Sequence, residues 1–384
     1  MDPRGKSVSA KRIDAIRKKV DAFDNKLLKT LAGRRKAVLA LIEEKASSDR
    51  PIRDLKREEK LLSRVIKAGR TAGLEPDFVR RVYEEILEDS VRAQQKRVPE
   101  TRGTIRVAFQ GIEGAYSELA ARRFFADRRG KLSLLGRPAF SEAVSAVDDG
   151  QADYAILPVE NTTAGSINEV YDLLSRSRLR IIGEEILPVS HCLLAVDKVP
   201  VAKIRRILSH PQALTQCMRF LSGLDNCVTE YFTDTAMAVR KVAEDRDIAQ
   251  AAIASEEAGK RYGLQVLKRD LADQKDNYTR FVIVAHDAPP PPPRVPCKTS
   301  IVMATAHKEG ALLRALNRLH ERKINLTKLE SRPEPGKPFQ YRFFVDFEGR
   351  VNDPEIAKAL AEVKKETAYL KILGSYPARR RTRR

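Results

Sequence analysis

The 384-residue chain has no tryptophan, only four cysteines and only five histidines. The cysteines (Cys192, Cys217, Cys227, Cys297) form no C-x-x-C pair, and no two histidines stand at H-x-H or H-x-x-x-H spacing. That argues against a metal site and against a disulfide framework, and free thiols in a reducing compartment are expected. No apolar run approaches the ~20 residues that a bilayer crossing needs, and the first residues lack the apolar core of a signal peptide. A cytoplasmic protein without a membrane partner is expected. Acidic side chains are also scarce, 52 against 72 basic ones, for a formal charge of +20. Such an excess suits anionic ligands. Nucleic acid would be one, but aromatics make up 6% of the chain and no zinc-finger or RNP pattern occurs, so no nucleic-acid partner is expected. The densest basic run, residues 379–384, reads as a solvated tail.

What is present suffices for two or three cores. Between residues 9 and 46 apolar side chains recur at helical spacing (Ile13, Ile16, Val20, Phe23, Leu27, Leu31, Val38, Leu41), with no proline inside. Further helical patterns run from about Ile52 to Lys67 and from Pro76 to Gln95. From Thr104 onward short β-rich runs alternate with helical stretches, an α/β signature. A proline run at residues 289–293 marks a stiff spacer and a domain boundary. Beyond it the pattern reads strand, helix, strand, strand, helix, strand, the ferredoxin-like βαββαβ order.

The segment from Tyr154 to Tyr171 reads YAILPVENTTAGSINEVY. A strand there runs into Glu160, Asn161, Thr162, Thr163 and Ser166 just ahead of a helix start, a good place to hold an anion. Ile207–Cys217 and Asp276–Val284 share the design. The Ser209-His210-Pro211 run within the former also reads as a helix start, with Ser209 as the cap. Gly111 and Gly114 lack the full dinucleotide fingerprint and read as a tight turn. Together with Val107–Ala121, these segments resemble the prephenate dehydratase family across about residues 104–286. That resemblance implies two α/β lobes around a cleft, like periplasmic binding proteins, with the chain crossing near 182–190 and returning near 265. Prephenate must lose hydroxide and carbon dioxide, so the site needs a general acid and carboxylate binders. By the resemblance Thr279 is the acid with Arg280 beside it, Asn161, Ser209 and Gln216 line the cleft, and Thr162 and Thr163 share its turn.

The helical region carries RKKVDAFDNKLLKTLAGRRKAV, RPIRDLKREE and EDSVRAQQ, which resemble the all-α chorismate mutase family. The resemblance gives Arg17, Arg34 and Arg57 to the substrate carboxylates, Lys45 and Gln94 to the ether oxygen, Glu58 to the hydroxyl, and Asp54 and Ser90 to substrate binding. Rearranging chorismate to prephenate is pericyclic and needs no cofactor, only a fixed conformer and donors at the ether oxygen. On one straight helix Arg17 and Arg34 would lie about 25 Å apart at ~1.5 Å per residue. They cannot share one small ligand in one chain. Either Arg17 is not in the site or it comes from a partner chain, and the resemblance implies the second: an intertwined homodimer with sites built from both protomers, or a higher oligomer.

In the last region Gly310–Leu316 and Leu329–Pro333 resemble the phenylalanine-binding ACT domain, although Glu309 stands where the family usually has proline. Gly310, Ala311, Leu312, Glu330 and Ser331 are the implied effector residues. The expectation is thus a multidomain chain: an all-α mutase at residues 1–100, a two-lobed α/β dehydratase at 104–286 and an α+β ACT domain at 298–378. The order is that of the bifunctional chorismate mutase/prephenate dehydratase family, inhibited by phenylalanine.

Overall fold

The computed structural model describes residues 4–45, 55–95, 103–128, 130–288, 290–291, 295–334 and 336–379. Within the N-terminal helices, side chains are described for residues 14–38, 61–83, 86 and 87. The chain forms two compact units, Met1–Arg102 and Gly103–Arg384.

The first unit holds α1 (Arg4–Lys45), α2 (Leu55–Thr71) and α3 (Pro76–Gln95). The second helix outruns its expected end because nothing stops it before Gly73, which takes the left-handed conformation at φ 76°. Leu74 then donates back to the Gly69 carbonyl at 2.9 Å. Gly69 also lies against Val79 of α3, so the helix pair closes where one side chain is missing. On α1 the expected apolar stripe is present but uncovered: Ile16, Val20, Phe23 and Leu27 are 51–71% exposed.

The second unit opens with a βα alternation: β1 (Ile105–Gln110), α4 (Tyr116–Phe125), β2 (Leu132–Arg137), α5 (Phe140–Asp148), β3 (Tyr154–Asn161), the short β4 (Gly165–Ser166), α6 (Asn168–Arg176) and β5 (Arg180–Pro188). Gly111 and Gly114 make the tight turn between β1 and α4. The chain then crosses to a second sheet through β6 (Cys192–Ala195), β7 (Arg206–Ser209), α7 (Pro211–Thr215), α8 (Met218–Leu221), β8 (Val228–Tyr231), α9 (Thr235–Asp245), β9 (Gln250–Ala254), α10 (Glu256–Tyr262) and β10 (Gln265–Lys268). It returns as β11 (Tyr278–Ala285). The sheets run β2-β1-β3-β11-β5, with β4 on β3, and β10-β6-β9-β7-β8. The return therefore lies beyond Lys268, not near residue 265: Gln265 pairs with Ala195 inside the second sheet.

The remainder is β12 (Cys297–Ala304), α11 (Ala311–His320), β13 (Leu326–Pro333), β14 (Tyr341–Glu348), α12 (Pro354–Glu366) and β15 (Tyr369–Pro377), in the βαββαβ order. Its antiparallel sheet runs β13-β14-β12-β15. The proline run does not hold this part away from the first lobe. Val302, Phe344, Leu373 and Tyr376 share one buried core with Val159, Tyr171, Leu174 and Ile181. Contact is tight at Gly374, where a β-carbon would collide with the Ile181 carbonyl. Gly374→Ala should therefore lower stability by about 1–3 kcal/mol through overpacking, read as a lower Tm of the full chain. An unchanged Tm would mean that the two sheets part there without cost.

Candidate active site

Strands β3 and β11 pair antiparallel with Asn161 opposite Thr279. The Asn161 amide donates to Thr279 Oγ1 at 3.0 Å and to Asn277 Oδ1 at 2.8 Å. Its carbonyl oxygen accepts from the Thr163 hydroxyl at 2.7 Å and from the backbone of Thr163 and Ala164 at 3.0 and 2.8 Å. This is an Asx-type turn, and it explains the Asn-Thr-Thr-Ala sequence. The second lobe reaches in through Gln216, the residue ending α7. Gln216 Nε2 donates to Asn161 Oδ1 at 3.3 Å and to Thr163 Oγ1, and its Oε1 accepts from Asn277 at 2.9 Å. Four of the expected residues, Asn161, Thr163, Gln216 and Thr279, thus form one network that bridges the lobes.

A hydroxyl has one donor and two acceptor positions. In the bond with Asn161 the Thr279 oxygen accepts, so the hydroxyl proton is not used in it. That same bond favours the deprotonated oxygen and so makes the hydroxyl a better acid.

Two members of the network were missed at the sequence level. Asn277 lies within the Asp276–Val284 motif, which was the available signal. His191, on the crossing between lobes, had none. It is 2% exposed, and its Nε2 lies 2.8 Å from Gln216 Oε1. That oxygen only accepts, so the network assigns the ring proton to Nε2. Nδ1 is buried without a hydrogen-bond partner. Burial holds the His191 pKa below its ordinary value, against the Gln216 bond, and so favours the neutral ring.

Other expected residues face elsewhere. The Thr162 hydroxyl donates to the Asp276 carbonyl and accepts from the Tyr278 amide, both at 2.9 Å, stitching the turn to the segment before β11. Ser209 is fully buried and donates to the Ile253 carbonyl, which ties β7 to β9. The helix cap is His210, whose Nδ1 accepts from Gln212 at 3.1 Å, with Pro211 following. Ser166 donates to Glu330 at 2.8 Å, so it is no part of an anion cradle.

Arg280 is the largest correction. Neighbours on a strand face opposite sides, and with Thr279 toward the cleft Arg280 turns to the C-terminal sheet. Its guanidinium meets Glu184 at 2.7 Å, Asp346 at 2.6 Å and the Tyr376 hydroxyl at 2.8 Å. Burial alone would lower its pKa, but Tyr376, Asp346 and Glu184 drive it well above the ordinary value. A guanidinium so engaged is not a substrate binder. In the C-terminal domain Gly310 caps α11 at φ 68°, with Ala311 and Leu312 in the first turn. Glu330 and Ser331 point to opposite faces of β13, and Glu330 turns toward the first lobe.

In the helical unit Arg17 is exposed and 3.8 Å from Asp14, while Arg34 is half-buried. Asp54 lies outside the described residues, as do the side chains of Lys45, Arg57, Glu58, Ser90 and Gln94.

The prephenate dehydratase family profile matches residues 107–289, and that of chorismate mutase type II matches residues 16–95. The bifunctional chorismate mutase/prephenate dehydratase of Escherichia coli (strain K12) is 40% identical over 369 residues, covering 95% of this chain and 96% of its own. Among solved structures, a prephenate dehydratase from Arthrobacter aurescens in complex with L-Phe has TM-score 0.65 at 30% identity, covering 71% of this chain and 90% of its own. A quorum-quenching acylase named GqqA has TM-score 0.64 at 36% identity, covering 71% and 98%. No described helix is long and apolar enough to cross a membrane.

His191 gives a pH dependence. Its folded-state pKa is lowered, so as pH falls through the ordinary imidazole value of ~6.5 the unfolded chain takes up a proton that the folded chain refuses. Stability should be full above that pH and decline below it. In His191→Asn the drop in Tm between pH 7 and pH 5 should be smaller than in wild type. Parallel curves would show that His191 contributes nothing to the decline.

Proposed function

The chain belongs to the bifunctional chorismate mutase/prephenate dehydratase family, and from that premise we propose how its parts act. It rearranges chorismate to prephenate, then dehydrates and decarboxylates prephenate to phenylpyruvate, in the phenylalanine branch of aromatic amino-acid biosynthesis. We assign the mutase to residues 1–100, the dehydratase to 104–286 and an ACT regulatory domain to 298–378, and place the protein in the cytoplasm.

For the dehydratase, the observation that carries the reading is the Asn161–Thr279 bond with Gln216 crossing from the other lobe. Thr279 protonates the departing hydroxyl, and loss of the carboxylate then aromatises the ring. Asn161, Thr163 and Gln216 orient the substrate, and closure of the lobes around it excludes water. For the mutase, Arg17, Arg34 and Arg57 hold the two carboxylates with Ser90 assisting, and Asp54 is a further substrate-binding residue. Glu58 accepts from the hydroxyl, and Lys45 and Gln94 meet charge growing on the ether oxygen. The uncovered stripe on α1 supports a homodimer whose partner helix buries Ile16, Val20, Phe23 and Leu27. Phenylalanine is the effector, a reading supported by the L-Phe complex of the related dehydratase. Gly310, Ala311, Leu312 and Ser331 are its proposed contacts, with Glu330 acting from the adjoining face.

The direct test is to supply purified protein with chorismate and with prephenate separately, following each by ultraviolet absorbance. Both should be consumed; a chain that converts only one is not bifunctional. Thr279→Val keeps the side-chain shape and removes the proton. Dehydratase kcat should fall by about 10²–10⁴-fold with chorismate turnover intact, whereas a near-normal kcat would remove Thr279 as the acid. Arg17 should act across the dimer. After subunit exchange between Arg17→Ala and Arg34→Ala chains, mixed dimers should recover mutase activity that neither parent has. No recovery after demonstrated exchange would count against a site shared between the two chains.

A further inference from the structure

The β3–β11 pair presents different chemistry on its two faces. Asn161 and Thr279 look into the cleft. The preceding and following residues, Glu160 and Arg280, are also register partners and look toward the C-terminal domain. Just past them the register shifts between Arg280 and Phe281, a bulge of the kind that re-aims side chains beside sites. Glu160 lies 3.8 Å from Arg280 and 3.3 Å from Lys328 of β13. Lys328 is nearly buried and donates to Ser166 Oγ at 3.0 Å. Ser166 in turn donates to Glu330, and its strand β4 pairs back onto Glu160 and Asn161. Around Arg280, Lys298 joins Glu184 at 3.0 Å, while Ser300 joins Asp346 and Tyr376. A continuous ionic seam therefore runs from the C-terminal sheet to the two backbone positions adjoining Asn161 and Thr279.

We propose that Glu160 and Arg280 are positioning residues for Asn161 and Thr279, and that Lys328 is the contact through which the C-terminal domain resets them. Asn161 and Thr279 are each one peptide unit from a residue of this seam. A hydrogen bond at 3.0 Å tolerates little displacement, and sub-ångström shifts at a reacting group change rates strongly. Lys328 suits the role because its ammonium has three donors and meets Glu160, Ser166 and Glu330 together. A ligand that moves β13 must exchange some of these contacts for others, which is the differential interaction that coupling requires. The effector part rests on phenylalanine binding to the C-terminal domain.

The test uses the full-length chain carrying Lys328→Met, which keeps the aliphatic stem, and separately Ser166→Ala. Phenylalanine binding is measured by calorimetry, and prephenate dehydration with and without saturating phenylalanine. Couplings of this kind amount to about 5–150-fold. In both variants phenylalanine should bind within about threefold of the wild-type Kd, while inhibition falls by about tenfold or more. Lys328→Arg should restore it. A purely structural lysine would instead lower Tm and leave the ratio of inhibited to uninhibited rates unchanged. Wild-type inhibition in both variants at unchanged Kd would overturn the seam and leave the effector reading standing. A wild-type chain that binds no phenylalanine would overturn the effector reading, and this inference with it.

Discussion

The antiparallel register that sets Asn161 opposite Thr279 is the constraint on which the second unit depends. It joins residues 118 apart in sequence, and the chain between them makes the rest of the first lobe's edge and the whole second lobe. Because side chains alternate along a strand, a slip of either strand by one residue would carry its group out of the cleft and break the pair. The register is held from several directions. The Asn161 carbonyl oxygen is committed to the turn, the Thr162 hydroxyl staples that turn to the approach of β11, and Gln216 with His191 closes the network from the other lobe.

The C-terminal domain is part of the same mechanical unit. It shares a core with the first lobe through Val302, Phe344, Leu373 and Tyr376. It is keyed to it by Gly374 against Ile181 and by a seam of buried charges. Removing one partner of a buried ion pair leaves the other uncompensated and is costly, and cutting the domain away would strip Arg280 of Asp346 and Tyr376 while exposing Tyr171 and Leu174. Point changes at the seam therefore test regulation more cleanly than truncation does.

Much of this was legible in the sequence. Helical spacing located the three N-terminal helices, the switch to short β runs at Thr104 marked the α/β part, and the βαββαβ order was readable beyond the prolines. Four segments named the cleft, and Asn161, Thr163, Gln216 and Thr279 do meet there. Membership in a motif does not fix the direction of a side chain. Thr279 and Arg280 are consecutive on a strand and had to face apart, and so did Glu330 and Ser331; the alternation was there to be used. Ser209 and Thr162 could not be placed the same way. Their hydroxyls serve the backbone of β9 and of the segment before β11, partners that only the tertiary fold brings close. His191 carried no spacing signal, because its role comes from burial beside Gln216.

The claim that Asn161 and Thr279 act as one unit is tested most directly by a double-mutant cycle on dehydratase kcat with Asn161→Ala, Thr279→Val and both together. Groups that act through a shared bond are strongly non-additive. The double variant should therefore be no more than about threefold slower than the slower single variant. Losses that multiply across the cycle would mean that the two residues act independently and that the bond between them is not what makes the site.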